Sequence, residues 1–243
     1  MTDTEVSPAP GEPQQTTAQT LTSIFFEPSS TFQSLRNRPR FLVAGLVLLA
    51  LTCAVTAFLF LRVDMDAFIR ERMERSPNAA QRTEQQTEMG VKLGKIFGAV
   101  GVPLSVPITI AAGSAIYLLG ALAFGGSLSY KKALAVWTYS SLPPAVFSTF
   151  VAVLVLFLKS SESIDPEHLL VTNPGAFMSS ESSPALVAFL SQFDVLRFYG
   201  MFLAALGLRK VGKMSSGAAW GVVITLWVLG IILRVGSVAL FGR

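Results

Sequence analysis

Long apolar runs are the feature that most limits what this chain can fold into. Five stretches contain few charged residues, and a run of about 18 or more such residues is typical of a helix that crosses a membrane. The chain is 51% hydrophobic and only 14% charged, whereas an average soluble domain is about a quarter charged. The sequence therefore predicts an all-α membrane protein with five spans, at 41–61, 96–124, 133–158, 193–208 and 217–241.

The fourth run is the shortest of the five and contains Asp194 and Arg197. A helix rises about 1.5 Å per residue, so a run of about 16 residues only just crosses a hydrocarbon core of about 30 Å. We expect flanking turns to complete this span.

The segment before the first span divides into two parts. Residues 1–20 carry almost no large apolar residue, so they cannot bury enough surface to offset the entropy lost on ordering, and we expect a disordered tail. Residues 21–40 combine apolar and basic residues, which predicts a cytoplasmic interfacial segment; the alternative is a loop that merely precedes the span. The expected anchors at lipid-headgroup depth are Phe25, Phe26, Phe32, Arg36, Arg38 and Arg40.

The polar stretch 63–95 separates the first two spans. Its residues favour helix, its charges alternate in sign, and Ser76-Pro77-Asn78 interrupts it. This pattern predicts an extramembrane helical hairpin that continues both spans. Residues 41–243 would then form one membrane domain, a bundle of five transmembrane helices with this hairpin between the first two.

The basic residues beside the spans predict the orientation. Three patches without acidic residues precede the first span, join the second to the third, and join the fourth to the fifth. Five spans place all three patches on one side, and the positive-inside rule makes that side the cytoplasm, with the N-terminus in it. Residues 63–95 carry many basic residues on the other side, and we give more weight to the short loops because the rule holds best there.

Four prolines mark the second and third spans near mid-membrane. Proline lacks a backbone donor and can kink or unwind a helix, and interrupted helices at this depth form the substrate sites of many transporters. Prolines are also common in membrane helices and often only shape the bundle. We favour this second interpretation, since no charged residue lies at that depth beside Pro103, Pro107, Pro143 and Pro144.

Asp194 and Arg234 are predicted to form a structural ion pair. The short loop between the fourth and fifth spans makes these helices antiparallel neighbours, so the start of one lies beside the end of the other. Asp194 opens the fourth span and Arg234 lies about two turns before the end of the fifth. Two alternatives stay open: Arg197 competes for Asp194, and Arg234 reaches the interface with its long side chain.

Catalytic, cofactor-binding and metal sites are not expected. The only histidine, His168, lies in a predicted loop without ligands at metal spacing. No phosphate loop or dinucleotide fingerprint is present, and we expect no cofactor. The net charge of +4 comes from basic residues beside the spans, so we expect no nucleic-acid partner.

Several short motifs lie before and within the predicted spans. Phe26-Glu27-Pro28 precedes the first span, followed by Phe32, Leu35 and Pro39; Ser129-Tyr130-Lys131 leads into Tyr139-Ser140-Ser141-Leu142-Pro143-Pro144; Gln192-Phe193-Asp194 precedes Gly207-Leu208 and Met214-Ser215. By these motifs, over roughly residues 22–241, the chain resembles the Yip (Ypt-interacting protein) domain family, in particular its bacterial members. The resemblance implies a five-span bundle with a cytoplasmic N-terminus. Eukaryotic members are tied to Rab-type GTPases, but no GTPase-contacting residue can be placed here.

We therefore expect a non-enzymatic, multi-pass membrane protein of a bacterial inner membrane that organises membrane partners or lipid. The expected partners are the lipid bilayer and, beyond it, other membrane proteins or further copies of the chain. The alternative is a small permease or transporter subunit that uses the proline-broken second and third spans.

Overall fold

The computed structural model describes residues 16–76, 79–161, 164–166, 169–170, 172–178 and 182–241. Within these ranges the chain forms helices and no strand. In chain order the helices are α1 (Thr17–Phe26), α2 (Pro28–Asn37), α3 (Leu42–Arg62), α4 (Met65–Glu74), α5 (Glu84–Ile96), α6 (Val102–Ala123), α7 (Tyr130–Leu158), α8 (Pro184–Leu190), α9 (Val195–Val211) and α10 (Ser216–Phe241). A π-helical turn, Phe97–Gly101, joins α5 to α6.

Four helical stretches are long and apolar enough to cross a membrane: α3, the continuous Glu84–Ala123, α7, and α10 as far as Leu240. The helices α8 and α9 meet at a bend of 48° and together form a fifth candidate. The first, third and fifth predicted spans begin within about one helical turn of the observed helices. The second predicted span starts too late, because its helix already begins at Glu84. The fourth predicted span ends too early, because α9 continues to Val211.

The outer surface of the bundle is apolar. Large side chains such as Leu46 of α3, Ile108 of α6 and Leu233 of α10 are 63%, 63% and 72% exposed. Water-soluble monomers rarely expose contiguous apolar surface of this extent. In a lipid bilayer these side chains contact hydrocarbon rather than water, so their exposure does not destabilise the fold. Together with the candidate spans, this surface identifies a multi-pass membrane protein.

Helices α7 and α9 form the centre of the bundle. Val136, Tyr139 and Leu142 of α7 and Leu203 and Leu208 of α9 are almost completely buried. The N-terminal helices α1 and α2 pack against α7, and α2 also packs against α9. Helices α3 and α6 pack against α7, while α10 packs against α6, α8 and α9.

The N-terminal segment is a helical hairpin. Thr16 and Gln19 form a capping box at the start of α1, which stabilises a helix end by satisfying its free N–H groups. Residues 17–20, expected to be disordered, are therefore the first turn of α1, and residues 1–15 lie outside the described ranges. Glu27 joins α1 to α2, and the hydroxyls of Ser23 and Thr31 are 2.8 Å apart across the two helices.

This hairpin enters the bundle. The ring of Phe32 lies against Gly207, near the C-terminal end of α9, and Phe32 is fully buried. The ring of Phe25 packs at 6.4 Å from that of Phe147, which packs at 6.5 Å from Tyr199. Tyr199 lies roughly 12 Å from Gly207 along α9, at about 1.5 Å per residue. The tip of the hairpin therefore points along α9, toward the end of the bundle where α9 begins.

The expected interfacial anchors consequently divide into two groups. Phe32 belongs to the protein core and Phe25 is half-buried, whereas Phe26 is 86% exposed. The expectation of lipid-headgroup anchors treated the three aromatic residues alike, but α1 and α2 turn two of them toward α7 and α9. Of the basic residues, Arg38 is exposed, Arg36 is half-buried, and Arg40 donates a 3.2 Å hydrogen bond from Nη1 to the hydroxyl of Thr17.

Helices α4 and α5 pack antiparallel beyond the end of α3. Lys95 Nζ lies 2.9 Å from a carboxylate oxygen of Asp66, and Arg70 Nη1 donates a 3.0 Å hydrogen bond to Glu84. The Glu84 carboxylate raises the pKa of the Arg70 guanidinium. Pro77 and Asn78, predicted to interrupt this region, lie outside the described residues.

Candidate functional site

A cavity of about 790 Å³ lies among α6, α7, α9 and α10. Its volume is within the range of small-molecule binding sites. Three lining residues, Ile116, Leu229 and Leu233, also belong to the exposed apolar surface. The cavity therefore opens on the outer face of the bundle, and we call it the central groove.

The floor of the central groove is the crossing of α7 and α9. A Cβ added at Gly200 would lie 3.5 Å from the Pro144 ring and 3.7 Å from the carbonyl oxygen of Ser140. In a helix that carbonyl would accept from the residue three or four positions later, and here both are prolines, Pro143 and Pro144, which have no N–H. The double proline thus leaves a backbone acceptor beside the groove.

Hydroxyl groups follow α7 along the groove. Ser140, Ser141 and Ser148 line it. The Ser140 hydroxyl donates to the Trp137 carbonyl at 3.1 Å, and the Ser148 hydroxyl donates to the Pro144 carbonyl at 2.8 Å. These bonds satisfy the hydroxyls of Ser140 and Ser148 within an apolar environment, and the small side chains leave the groove open.

Two opposite charges lie at the end of the groove where α9 begins. Asp194 caps α9: its Oδ1 accepts from the backbone N–H groups of Leu196 and Arg197 at 2.8 and 3.0 Å. Its Oδ2 accepts from the Thr172 hydroxyl. The guanidinium of Arg197 donates from Nη1 to Oε1 of Gln192 at 2.9 Å. Asp194 and Arg197 both line the groove, and we call this end its rim.

Aromatic residues hold the rim in place. The indole Nε1 of Trp227 donates a 3.3 Å hydrogen bond to the Gln192 carbonyl. The rings of Phe193 and Phe198 pack on Trp227 at centroid distances of 5.4 and 5.7 Å. Gln192 is almost completely buried, so its amide gives the Arg197 side chain a fixed partner.

The ion pair predicted between Asp194 and Arg234 is not formed between these two described residues. Arg234 is exposed, and Asp194 has Thr172 and the start of α9 as partners. Trp227, seven residues before Arg234, bonds to Gln192 beside Asp194, so Arg234 lies roughly 10 Å further along α10. The two residues are therefore not at the common level at which an ion pair was expected.

The four prolines do not form a common site. Pro144 lines the groove and Pro143 is buried behind it. Pro103 lies in the first turn of α6, directly after the π-helical turn, and Pro107 is exposed. Helix α7 continues through its two prolines without a break.

Sequence reasoning missed the rim as a site, although the signal was present. Asp194, Arg197 and Gly200 are spaced three residues apart, which places them on one side of a helix. Gln192 and the serines of α7 show no comparable spacing.

Within the described ranges, no group of His, Cys, Asp or Glu residues could hold a metal ion, and His168 lies outside them.

Comparison with known proteins identifies the family. The model of the Yip1 domain matches residues 22–236, from α1 to the last turns of α10. No curated protein and no solved structure is detectably similar to the chain. Because the match covers well over half of a chain of 243 residues, this multi-pass membrane protein belongs to the Yip1 domain family.

Proposed function

We propose that the protein is a non-enzymatic membrane protein that binds a membrane lipid in the central groove and so organises lipid and membrane partners around it. One observation carries this proposal: the groove opens on the apolar outer face while its rim holds Asp194 and Arg197. The apolar lining of the groove suits a lipid tail, and the charged side chains of the rim suit a polar headgroup.

The apolar wall of the groove on α10 is long enough for part of a lipid tail. Its lining extends from Val223 to Leu233, which is roughly 15 Å of helix. Trp227, whose indole bonds to Gln192 at the rim, lies between these two residues, so apolar lining extends to both sides of the rim. A tail lying there would cover apolar side chains of α10 and the small residues of α7 and α9.

We also propose an orientation of the bundle in the membrane. The basic loops at Lys131, Lys132, Arg209 and Lys210 lie at the end opposite the rim, and the positive-inside rule favours the cytoplasm for that end. The rim then lies in the outer leaflet. The motifs shared with bacterial members support an inner-membrane location.

A small permease is the second candidate, favoured by the Ser140 carbonyl, which loses its usual helical donors to the two prolines. Irregular polar backbone that lines a cavity at membrane depth is typical of transporter sites. Against it, Pro103 and Pro107 of α6 do not line the groove. A lipid site therefore accounts for more of the geometry.

The test compares two serine-to-tryptophan variants in defined lipid. Ser141→Trp fills the groove, whereas Ser105→Trp adds the same bulk to the exposed face of α6. Native mass spectrometry of the purified, folded protein counts retained lipid. We expect Ser141→Trp to retain less lipid than the wild type and Ser105→Trp to retain as much. Equal retention by all three proteins would overturn the proposal.

Liposomes that contain only this protein decide between the two candidates. A lipid-binding role predicts no flux of small solutes above that of empty liposomes. Substrate-dependent flux that Ser141→Trp blocks would establish the permease instead.

A further inference from the structure

We propose that the rim selects a zwitterionic phospholipid headgroup with a primary ammonium, whose phosphate binds Arg197 and whose ammonium binds Asp194. This inference rests on the proposed lipid-binding function and adds the chemical class of the lipid. It follows from the hydrogen bonds that join each of the two charged side chains to a partner other than the opposite charge.

Asp194 and Arg197 do not neutralise each other through their side chains. The Asp194 carboxylate is held by the first N–H groups of α9 and by Thr172, while the Arg197 guanidinium is held by Gln192. No ion pair joins the two side chains, both of which are described. The rim therefore presents two separate charges of opposite sign.

Both groups keep capacity for a ligand. A guanidinium has five N–H donors, and Arg197 uses one of them on Gln192. A carboxylate has about four acceptor positions, and Asp194 uses three, on two N–H groups and one hydroxyl. Arg197 is exposed and Asp194 is half-buried, so a headgroup can reach both.

The pair of charges disfavours headgroups of a single sign. A purely anionic headgroup on Arg197 would lie within reach of the Asp194 carboxylate, and like charges repel more strongly near lipid than in water. A headgroup whose phosphate and ammonium are joined by a two-carbon linker carries both charges and pairs with both residues. Charge-assisted hydrogen bonds to phosphate and carboxylate are about twice as strong as neutral ones.

The remaining acceptor on Asp194 favours a primary ammonium over a quaternary one. A primary ammonium donates hydrogen bonds, whereas a quaternary ammonium depends on aromatic faces. Trp227 is the aromatic residue at this end of the groove, and it is packed by Phe193 at 86° and by Phe198 at 61° to its plane. Contact with these rings reduces the indole surface left for a ligand.

The experiment offers the full-length protein an equimolar mixture of phosphatidylethanolamine, phosphatidylglycerol and phosphatidylcholine with identical tails. Native mass spectrometry measures which lipid is retained. We expect wild-type protein to prefer phosphatidylethanolamine over each of the others by roughly tenfold, the effect of one charge-assisted contact. Asp194→Asn keeps the helix cap, because asparagine also caps helices well, and should abolish the preference over phosphatidylglycerol.

Arg197→Gln should weaken retention of all three phospholipids, because each has a phosphate. The matched control is Arg209→Gln, which removes an exposed arginine at the other end of α9 and should change nothing. Lipid retained in the groove without a headgroup preference, or a preference that Asp194→Asn leaves intact, overturns this inference alone. If Ser141→Trp retains as much lipid as the wild type, both this inference and the proposed function fail.

Discussion

Gly200 of α9 lies against the ring of Pro144 of α7, where an added Cβ would stand 3.5 Å from the ring carbon Cγ. That distance is an ordinary van der Waals contact. A methyl group therefore fits between the helices, while any larger side chain must extend into the central groove. Gly200 thus sets both how closely the two helices approach and how much of the groove is open.

Gly200→Ala and Gly200→Phe should consequently act in opposite directions. Alanine in a helix interior is about 0.5–1 kcal/mol more favourable than glycine, so thermal unfolding in detergent should shift slightly upward with lipid retention unchanged. Phenylalanine should displace lipid from the groove. Equal lipid retention in the two variants, measured by native mass spectrometry, would contradict the role assigned to the groove floor.

Gly207 supports a prediction about the N-terminal hairpin. A Cβ there would lie 2.9 Å from the Phe32 ring and 2.8 Å from Val136, closer than atoms approach without a shift. Gly207→Ala should therefore destabilise the bundle by about 1–3 kcal/mol, the usual cost of overpacking. The control is Gly236→Ala, since no atom lies within 4 Å of that Cβ. Thermal unfolding of both variants in the same detergent measures the difference, and equal midpoints would contradict the close contact.

The spans could be predicted from the sequence because the thickness of a bilayer fixes the length of an apolar helix. The inserted hairpin could not be predicted in the same way. Residues 21–40 mix apolar, hydroxyl and basic residues in proportions that also suit a membrane surface. A finer signal was available, since Leu21, Ile24 and Phe25 share one helical face. That spacing predicts a buried helical face, but it does not identify which other helix packs against that face.

The relative level of α9 and α10 could not be predicted in detail either, as Asp194 and Arg234 illustrate. The short loop between these helices makes them antiparallel, whereas the level and rotation of α10 depend on its contacts with α6, α8 and α9, which place Trp227 beside Gln192. The same limit explains why the partners of Asp194 and Arg197 were missed. Gln192 and Thr172 reach the rim through turns that have no periodic pattern.

Asp194 and Arg234 should behave independently when both are changed. Asp194→Ala removes a helix cap and should cost about 1 kcal/mol, whereas Arg234→Leu changes an exposed side chain and should cost little. Independent sites add within about 0.3–0.5 kcal/mol. Unfolding of the two single variants and the double variant in one detergent provides the test. A double variant that recovers more than about 1 kcal/mol would show that the predicted ion pair forms in the membrane.

The orientation and the number of crossings can be tested together with single cysteines. Cys53 is the only native cysteine and is exposed on α3, so each variant needs Cys53→Ala. Three exposed positions report on different loops: Glu88 on α5, Lys131 at the start of α7, and Arg209 near the end of α9. An impermeant thiol reagent is added to intact cells before and after permeabilisation.

We expect Glu88→Cys to react in intact cells, and Lys131→Cys and Arg209→Cys to react only after permeabilisation. The reason for the first is that Gly98, just beyond α5, lies against Phe60 near the end of α3, which puts α5 at the end of the bundle opposite the basic loops. The positive-inside rule then keeps Lys131 and Arg209 in the cytoplasm. Reaction of Lys131→Cys and Arg209→Cys in intact cells, with Glu88→Cys reacting only after permeabilisation, would show that the orientation is the opposite one. Reaction of Arg209→Cys together with Glu88→Cys would show that the bent pair α8 and α9 does not cross, and that the chain has four spans.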